Sequence, residues 1–133
     1  MFFASDNSGP AHPAVMQALM DANTGYQSGY GADSLMVEVT QMIRDLFEAP
    51  DAAVYLTATG TAANSILLAT MANPWDTIFC SPVAHIHEDE CNAPEFYSGA
   101  KLTLVPAENA KMTPAALHTS METEESRGVH GPQ

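Results

Sequence analysis

Apolar residues recur along this chain first at helical spacing and then in alternating helical and strand-like runs. Pro13 opens a helical pattern carrying Val15, Met16, Leu19 and Met20, and Gly25 ends it. Leu35, Val39, Met42, Ile43, Leu46 and Phe47 repeat at the helical period up to Pro50. Met16, Met20, Met36 and Met42 fall on these two stripes and are expected in the core. Between them, residues 25–33 interleave Gly25, Gly29 and Gly31 with Tyr26 and Tyr30, which predicts a loop. Residues 2–8 are short and mixed, an extended arm or edge segment.

The pattern then changes. Residues 53–57 form a short β-prone run that leads through Ala58-Thr59-Gly60-Thr61 into an apolar helix over residues 62–71. A turn at 73–76 precedes a second strand at 77–80. The polar stretch 84–90 runs into a helix ending near Gly99, and 101–105 is a third strand. Thr113 and Pro114, an N-cap followed by proline at the first helical position, start a helix through Leu117 and Met121. Alternating strands and helices predict an α/β fold with a mostly parallel sheet and flanking helices. Residues 1–121 read as one domain portion and 122–133 as a polar tail without a core pattern. The pattern stops without a closing element, so the expectation is an interrupted sequence and an incomplete sheet.

Charge narrows the partners. The 133 residues carry 16 acidic against 4 basic side chains, a formal net charge of -12. With no basic patch to reverse the sign locally, nucleic acid and anionic membrane are excluded as expected partners. No apolar run reaches the roughly 18 residues of a membrane span, and the N-terminus turns polar too soon for a signal peptide. Cys80 and Cys91, without secretory context, read as reduced thiols in a soluble cytoplasmic protein. The only cations are Arg44, Lys101, Lys111 and Arg127, few for a chain that handles anionic ligands.

Two segments carry candidate chemistry. Thr59-Gly60-Thr61 lies between a β-run and a helix, where free backbone N–H groups make an anion site. It is also the sequence of an ordinary capped turn, without a P-loop lysine or spaced dinucleotide glycines. His85-Ile86-His87-Glu88-Asp89-Glu90-Cys91 admits three chemistries. His85 and His87 could bind a metal completed by Cys80, Cys91 or a carboxylate. One histidine could work as an acid or base held by a neighbouring carboxylate. The acids could also simply favour a solvated helix start.

The ordered set of Asp6, the Gly-Tyr-Gly-Ala-Asp loop, Thr-Gly-Thr-Ala-Ala-Asn ending at Asn64, and Ala84-His85-Ile86 followed by Glu90 resembles the L-threonine aldolases. Those are β-eliminating lyases dependent on pyridoxal 5'-phosphate, with the aspartate-aminotransferase-type fold, and the resemblance runs over residues 3–118. It implies the N-terminal part of the family's large domain. It further implies that Thr59, Gly60 and Thr61 hold the cofactor phosphate and that Asn64 supports their turn. By the same resemblance His85 stacks on the pyridine ring and takes the substrate's β-hydroxyl proton. Ser5 would lie near the substrate carboxylate, and Tyr30 would reach the site of a neighbouring subunit in a homodimer or dimer of dimers. The activity implied is cleavage of L-threonine or a related β-hydroxy-α-amino acid to glycine and an aldehyde. His87 and Asp89 stand where members often carry aromatic residues. The family's Schiff-base lysine, pyridinium-pairing aspartate and carboxylate-binding arginine come later in longer chains, and neither Lys101 nor Lys111 has a matching context. Little or no activity is therefore expected of these 133 residues alone. Two other functions fit the residues: a metal-binding module or metallohydrolase centred on His85, His87 and Cys91, and a non-catalytic remnant that pairs with full-length relatives through an exposed sheet edge.

Overall fold

In the first unit, Met1–Val54, two capped helices follow one another. The structure is a computed structural model and describes residues 8–131. Helix α1 spans Pro13–Ala22, with proline in its first turn and the His12 side chain accepting from the Ala14 N–H at 3.2 Å. Helix α2 spans Ser34–Leu46, and Asp33 caps it by accepting from the Met36 N–H at 2.9 Å. The Arg44 side chain donates to the Ala52 carbonyl at 2.8 Å and fastens the segment after α2. Met36, Val39 and Ile43 form a half-buried stripe. The methionine expectation fails for the rest: Met16, Met20 and Met42 are exposed, as are Val15 and Leu19. Among the described residues of this unit no further layer lies against the two helices, so they cannot bury both faces. Helical periodicity identifies an apolar face, not what covers it.

The second unit, Tyr55–Gln133, carries the sheet. Helix α3 spans Gly60–Met71, strand β1 spans Thr77–Cys80, and two short helices follow, α4 (His85–Glu88) and α5 (Ala93–Ser98). Strand β2, Lys101–Leu104, returns parallel to β1 in a register that pairs Thr77 with Lys101 and Cys80 with Leu104. A parallel return needs a crossover, and α4 and α5 supply it. Among the described residues, Cys80, Pro94, Ala100, Leu102 and Val105 are buried, and α3 packs against α5. The α/β class with a parallel sheet is as the pattern predicted.

Gly99 closes α5 with φ of 70°, and a Cβ there would meet the Pro74 Cβ at 3.0 Å. Both the left-handed backbone and the close approach require glycine. Ser98 donates to the Pro94 carbonyl at 2.6 Å and accepts from the Ala100 N–H at 3.1 Å, so its buried hydroxyl is satisfied.

Three elements depart from expectation. Residues 53–57 form no strand, because an extended segment needs a neighbour for its N–H and C=O groups and none of the described residues pairs with it. The polar stretch and following helix are not continuous: Cys91 and Asn92, at φ of 50° and 58°, break α4 from α5. After β2, strands β3 (Ala107–Glu108) and β4 (Lys111–Met112) make an antiparallel hairpin. Its turn residues Asn109 and Ala110 both have positive φ, as a type I′ turn demands. Asn-Ala lacks the glycine that would have signalled this turn.

Helix α6 spans Pro114–Glu125, capped by Thr113 as predicted, and runs beyond Met121 into the polar tail. Glutamate propagates a helix well, so the α6 helix outlasts its hydrophobic pattern. Glu124 is buried there and meets Arg127 Nη1 at 2.9 Å. Among the described residues no helix is long and apolar enough to cross a membrane.

Candidate active site

His85 opens α4 just beyond the carboxyl end of β1, where α/β sheets bind ligands. Its side chain is 64% exposed, yet its Nδ1 lies 2.7 Å from Glu90 Oε1. The Glu90 side chain is fully buried, and the same Oε1 accepts from Asn64 Nδ2 at 2.6 Å. Asn64 stands in the second turn of α3, so one carboxylate ties the α3 helix to the α4 histidine. Helix α4 ends at Glu88 with Asp89 as its cap, and the left-handed pair Cys91 and Asn92 then turns the chain just past Glu90. That break explains why Glu90, not Glu88 or Asp89 at helical spacing, is the carboxylate that holds His85.

The first turn of α3 is open. Thr59 accepts from the Ala62 N–H through its hydroxyl at 3.1 Å, and its carbonyl accepts from the Ala63 N–H at 3.1 Å. The N–H groups of Gly60 and Thr61 have no partner among the described residues. A Cβ built on Gly60 would meet nothing within 4 Å. Two outward N–H groups, an added threonine hydroxyl and the positive end of a 12-residue helix suit a phosphate-sized anion. Thr59 contributes mainly as the cap.

The fold thus brings Thr59, Gly60 and Thr61 onto the helix that Glu90 joins to His85. Tyr30 is fully exposed in the first unit, with φ of 61°. Ser5 lies outside the described residues. What sequence reasoning missed is the partnership of Asn64 and Glu90, 26 residues apart. An asparagine inside a helix, where it propagates poorly, was the available signal.

The metal arrangement does not form: among the described residues no three His, Cys, Asp or Glu side chains gather for an ion. His85 Nδ1 is already engaged by Glu90. Cys80 is buried and Cys91 exposed, both unpaired. Burial first, and the Glu95 carboxylate second, push the Cys80 thiol above its ordinary value. The folded state therefore favours the protonated thiol. That stabilisation is complete at neutral pH and is lost as pH rises through the raised value. A disulfide reagent at neutral pH is expected to titrate Cys91 quickly and Cys80 only on unfolding; two equally fast thiols would contradict this. A cavity of about 550 Å³ between β1 and α6 is lined by Phe79, Met121 and Val129 among others. None of the candidate site residues Thr59, Gly60, Thr61, Asn64, His85 and Glu90 lines it.

Known proteins share this arrangement of elements. The chain matches the Beta-eliminating lyase family over residues 3–133. It is 41% identical over 116 residues to a low specificity L-threonine aldolase of Pseudomonas aeruginosa, and 40% identical over 116 residues to one of a Pseudomonas species. Each alignment covers 86% of this chain and 33% of the relative. A solved threonine aldolase of Leishmania major matches with a TM-score of 0.84 and 27% identity, over 94% of this chain and 36% of that one. The chain therefore spans about a third of the length of these relatives. A match over nearly every residue, together with two threonine aldolases at this identity, establishes that the chain belongs to the beta-eliminating lyase family.

Proposed function

We propose that the chain is the cofactor-cradling front portion of a pyridoxal 5'-phosphate-dependent lyase of the threonine aldolase type. Its substrate is L-threonine or a related β-hydroxy-α-amino acid, and its products are glycine and an aldehyde. The observation that carries this reading is the open first turn of α3, whose Gly60 and Thr61 N–H groups are unclaimed among the described residues, tied through Asn64 and Glu90 to a solvent-facing His85.

Each residue has a distinct task in this reading. Gly60 and Thr61 hold the phosphate, and Thr59 keeps the turn in shape. The exposed face of the His85 ring is free to stack on a planar ligand, and its Nε2 takes the substrate's β-hydroxyl proton. When bound, the cofactor supplies the electron sink that carbon–carbon cleavage needs. Ser5 binds near the substrate carboxylate. Tyr30 serves the site of a neighbouring subunit in a cytoplasmic homodimer or dimer of dimers; its full exposure and the two unpaired cysteines support this. Residues 1–121 form the front of the cofactor domain and 122–133 a polar tail.

Alone, the 133 residues do not catalyse cleavage. Lys101 pairs with Thr77 at the amino end of the parallel strands, a strand's length from the His85 end. Lys111 is exposed on the β3–β4 hairpin. Neither is placed to bind the cofactor covalently.

The test is a fusion of this chain to the remaining two thirds of the Pseudomonas aeruginosa relative. The fusion is expected to release glycine and acetaldehyde from threonine, and the 133-residue chain to release neither. A folded, cofactor-loaded fusion without turnover would count against the assignment.

A further inference from the structure

Glu90 is an unusual acceptor. Its carboxylate is fully buried, Oε1 lies within hydrogen-bond distance of side chains from two different helices, and Oε2 has no hydrogen-bond partner among the described residues. The 2.7 Å contact with His85 Nδ1 requires one proton between the two atoms. If neutral His85 carried its proton on Nε2, the Nδ1 lone pair would face a carboxylate oxygen without one. If the shared proton sat on Glu90 Oε1, that hydroxyl oxygen would also have to accept the 2.6 Å bond from Asn64 Nδ2, which an ionised carboxylate oxygen accepts far better. A proton on Oε2 would have no acceptor.

The proton therefore belongs on Nδ1. We propose that Glu90 and Asn64 are positioning residues that lock neutral His85 in the Nδ1–H tautomer, leaving Nε2 as its free base.

Asn64 has a specific part in the lock. A carboxylate held by one donor can rotate and exchange its oxygens. The second donor, fixed on α3 at 2.6 Å, keeps Oε1 aimed at the imidazole. The helix that presents the Gly60 and Thr61 N–H groups thus also sets which nitrogen of His85 is basic. Neutral imidazole in water favours the other tautomer, so without the lock most of the population would carry the proton on Nε2, where it cannot accept one. The functional weight of this lock rests on the lyase reading, but the tautomer itself does not.

Long-range proton–nitrogen correlation on the ¹⁵N-labelled 133-residue chain tests the proposal without cofactor, at alkaline pH where imidazoles are neutral. His85 is expected to show a protonated Nδ1 and an unprotonated Nε2, with the other four histidines as internal references. A majority Nε2–H form in the unsubstituted chain would overturn it. In Glu90→Leu the majority is expected to switch to Nε2–H at His85; persistence of Nδ1–H would also overturn it. In Asn64→Ala the Nδ1–H fraction is expected to fall, and an unchanged fraction would remove Asn64 from the lock. Should Glu90→Leu not fold, the unsubstituted spectrum decides alone. An inactive threonine aldolase fusion with the Nδ1–H signature intact would refute the lyase reading and leave the lock standing. An active fusion with His85 in the Nε2–H form would do the reverse.

Discussion

Replacing His85 with alanine in the threonine aldolase fusion is expected to lower kcat/KM by roughly 10²- to 10⁴-fold, the range for losing a general acid or base. The expectation follows from where the side chain sits. It is 64% exposed at the carboxyl end of β1, so its imidazole faces the ligand side rather than the core. Its removal leaves Asn64 still donating to Glu90, so the buried carboxylate keeps one partner. The carboxylate still loses one of its two partners, so stability should fall as well, by about 1–3 kcal/mol. Steady-state kinetics beside a urea midpoint separates the two effects. A folded variant with unchanged kcat/KM would remove His85 from the chemistry, and an unchanged midpoint would mean that its bond to Glu90 adds nothing to the fold.

Asn64→Ala is expected to act mainly through the buried carboxylate rather than by removing a group that touches the substrate. Asn64 is half-buried in α3 and its 2.6 Å bond reaches a carboxylate with no solvent exposure. Taking one donor from a buried acceptor costs about 1–3 kcal/mol, with charged acceptors toward the upper end. His85 remains on Oε1, so the group is not wholly orphaned and the larger penalty of an unpaired buried charge is avoided. A lowered urea midpoint at constant slope is the expected result. An unchanged midpoint would mean that the Asn64–Glu90 bond contributes nothing to the fold. The two substitutions act on the same oxygen from opposite sides, one exposed and one buried.

Much of the secondary structure was legible in order. Threonine and proline at 113–114 and proline at 13 mark helix starts because they satisfy or forgo free N–H groups, a local matter. Strands β1 and β2 were visible as short β-prone runs. The hairpin at 107–112 was not, since two-residue strands have no alternation to detect. Residues 53–57 show the converse: their composition favours a strand, but a strand exists only when a neighbour completes its hydrogen bonds. The methionines of α1 and α2 make the same point for burial, because an apolar stripe is a property of one helix and its cover a property of another element.

The sequence by itself determined the residue types and their order: a capped glycine turn, then a histidine followed by three acids, in the order that resembles the threonine aldolases. It also determined the helix caps and the α/β alternation, because both depend on residues within a turn of one another. Only the tertiary structure decided which acid holds His85. Helical spacing favours Glu88 or Asp89, but α4 ends at Glu88, so Glu90 falls in the turn beyond it, where α3 brings Asn64 to meet it. That choice depends on packing between residues 26 positions apart, which local pattern does not encode.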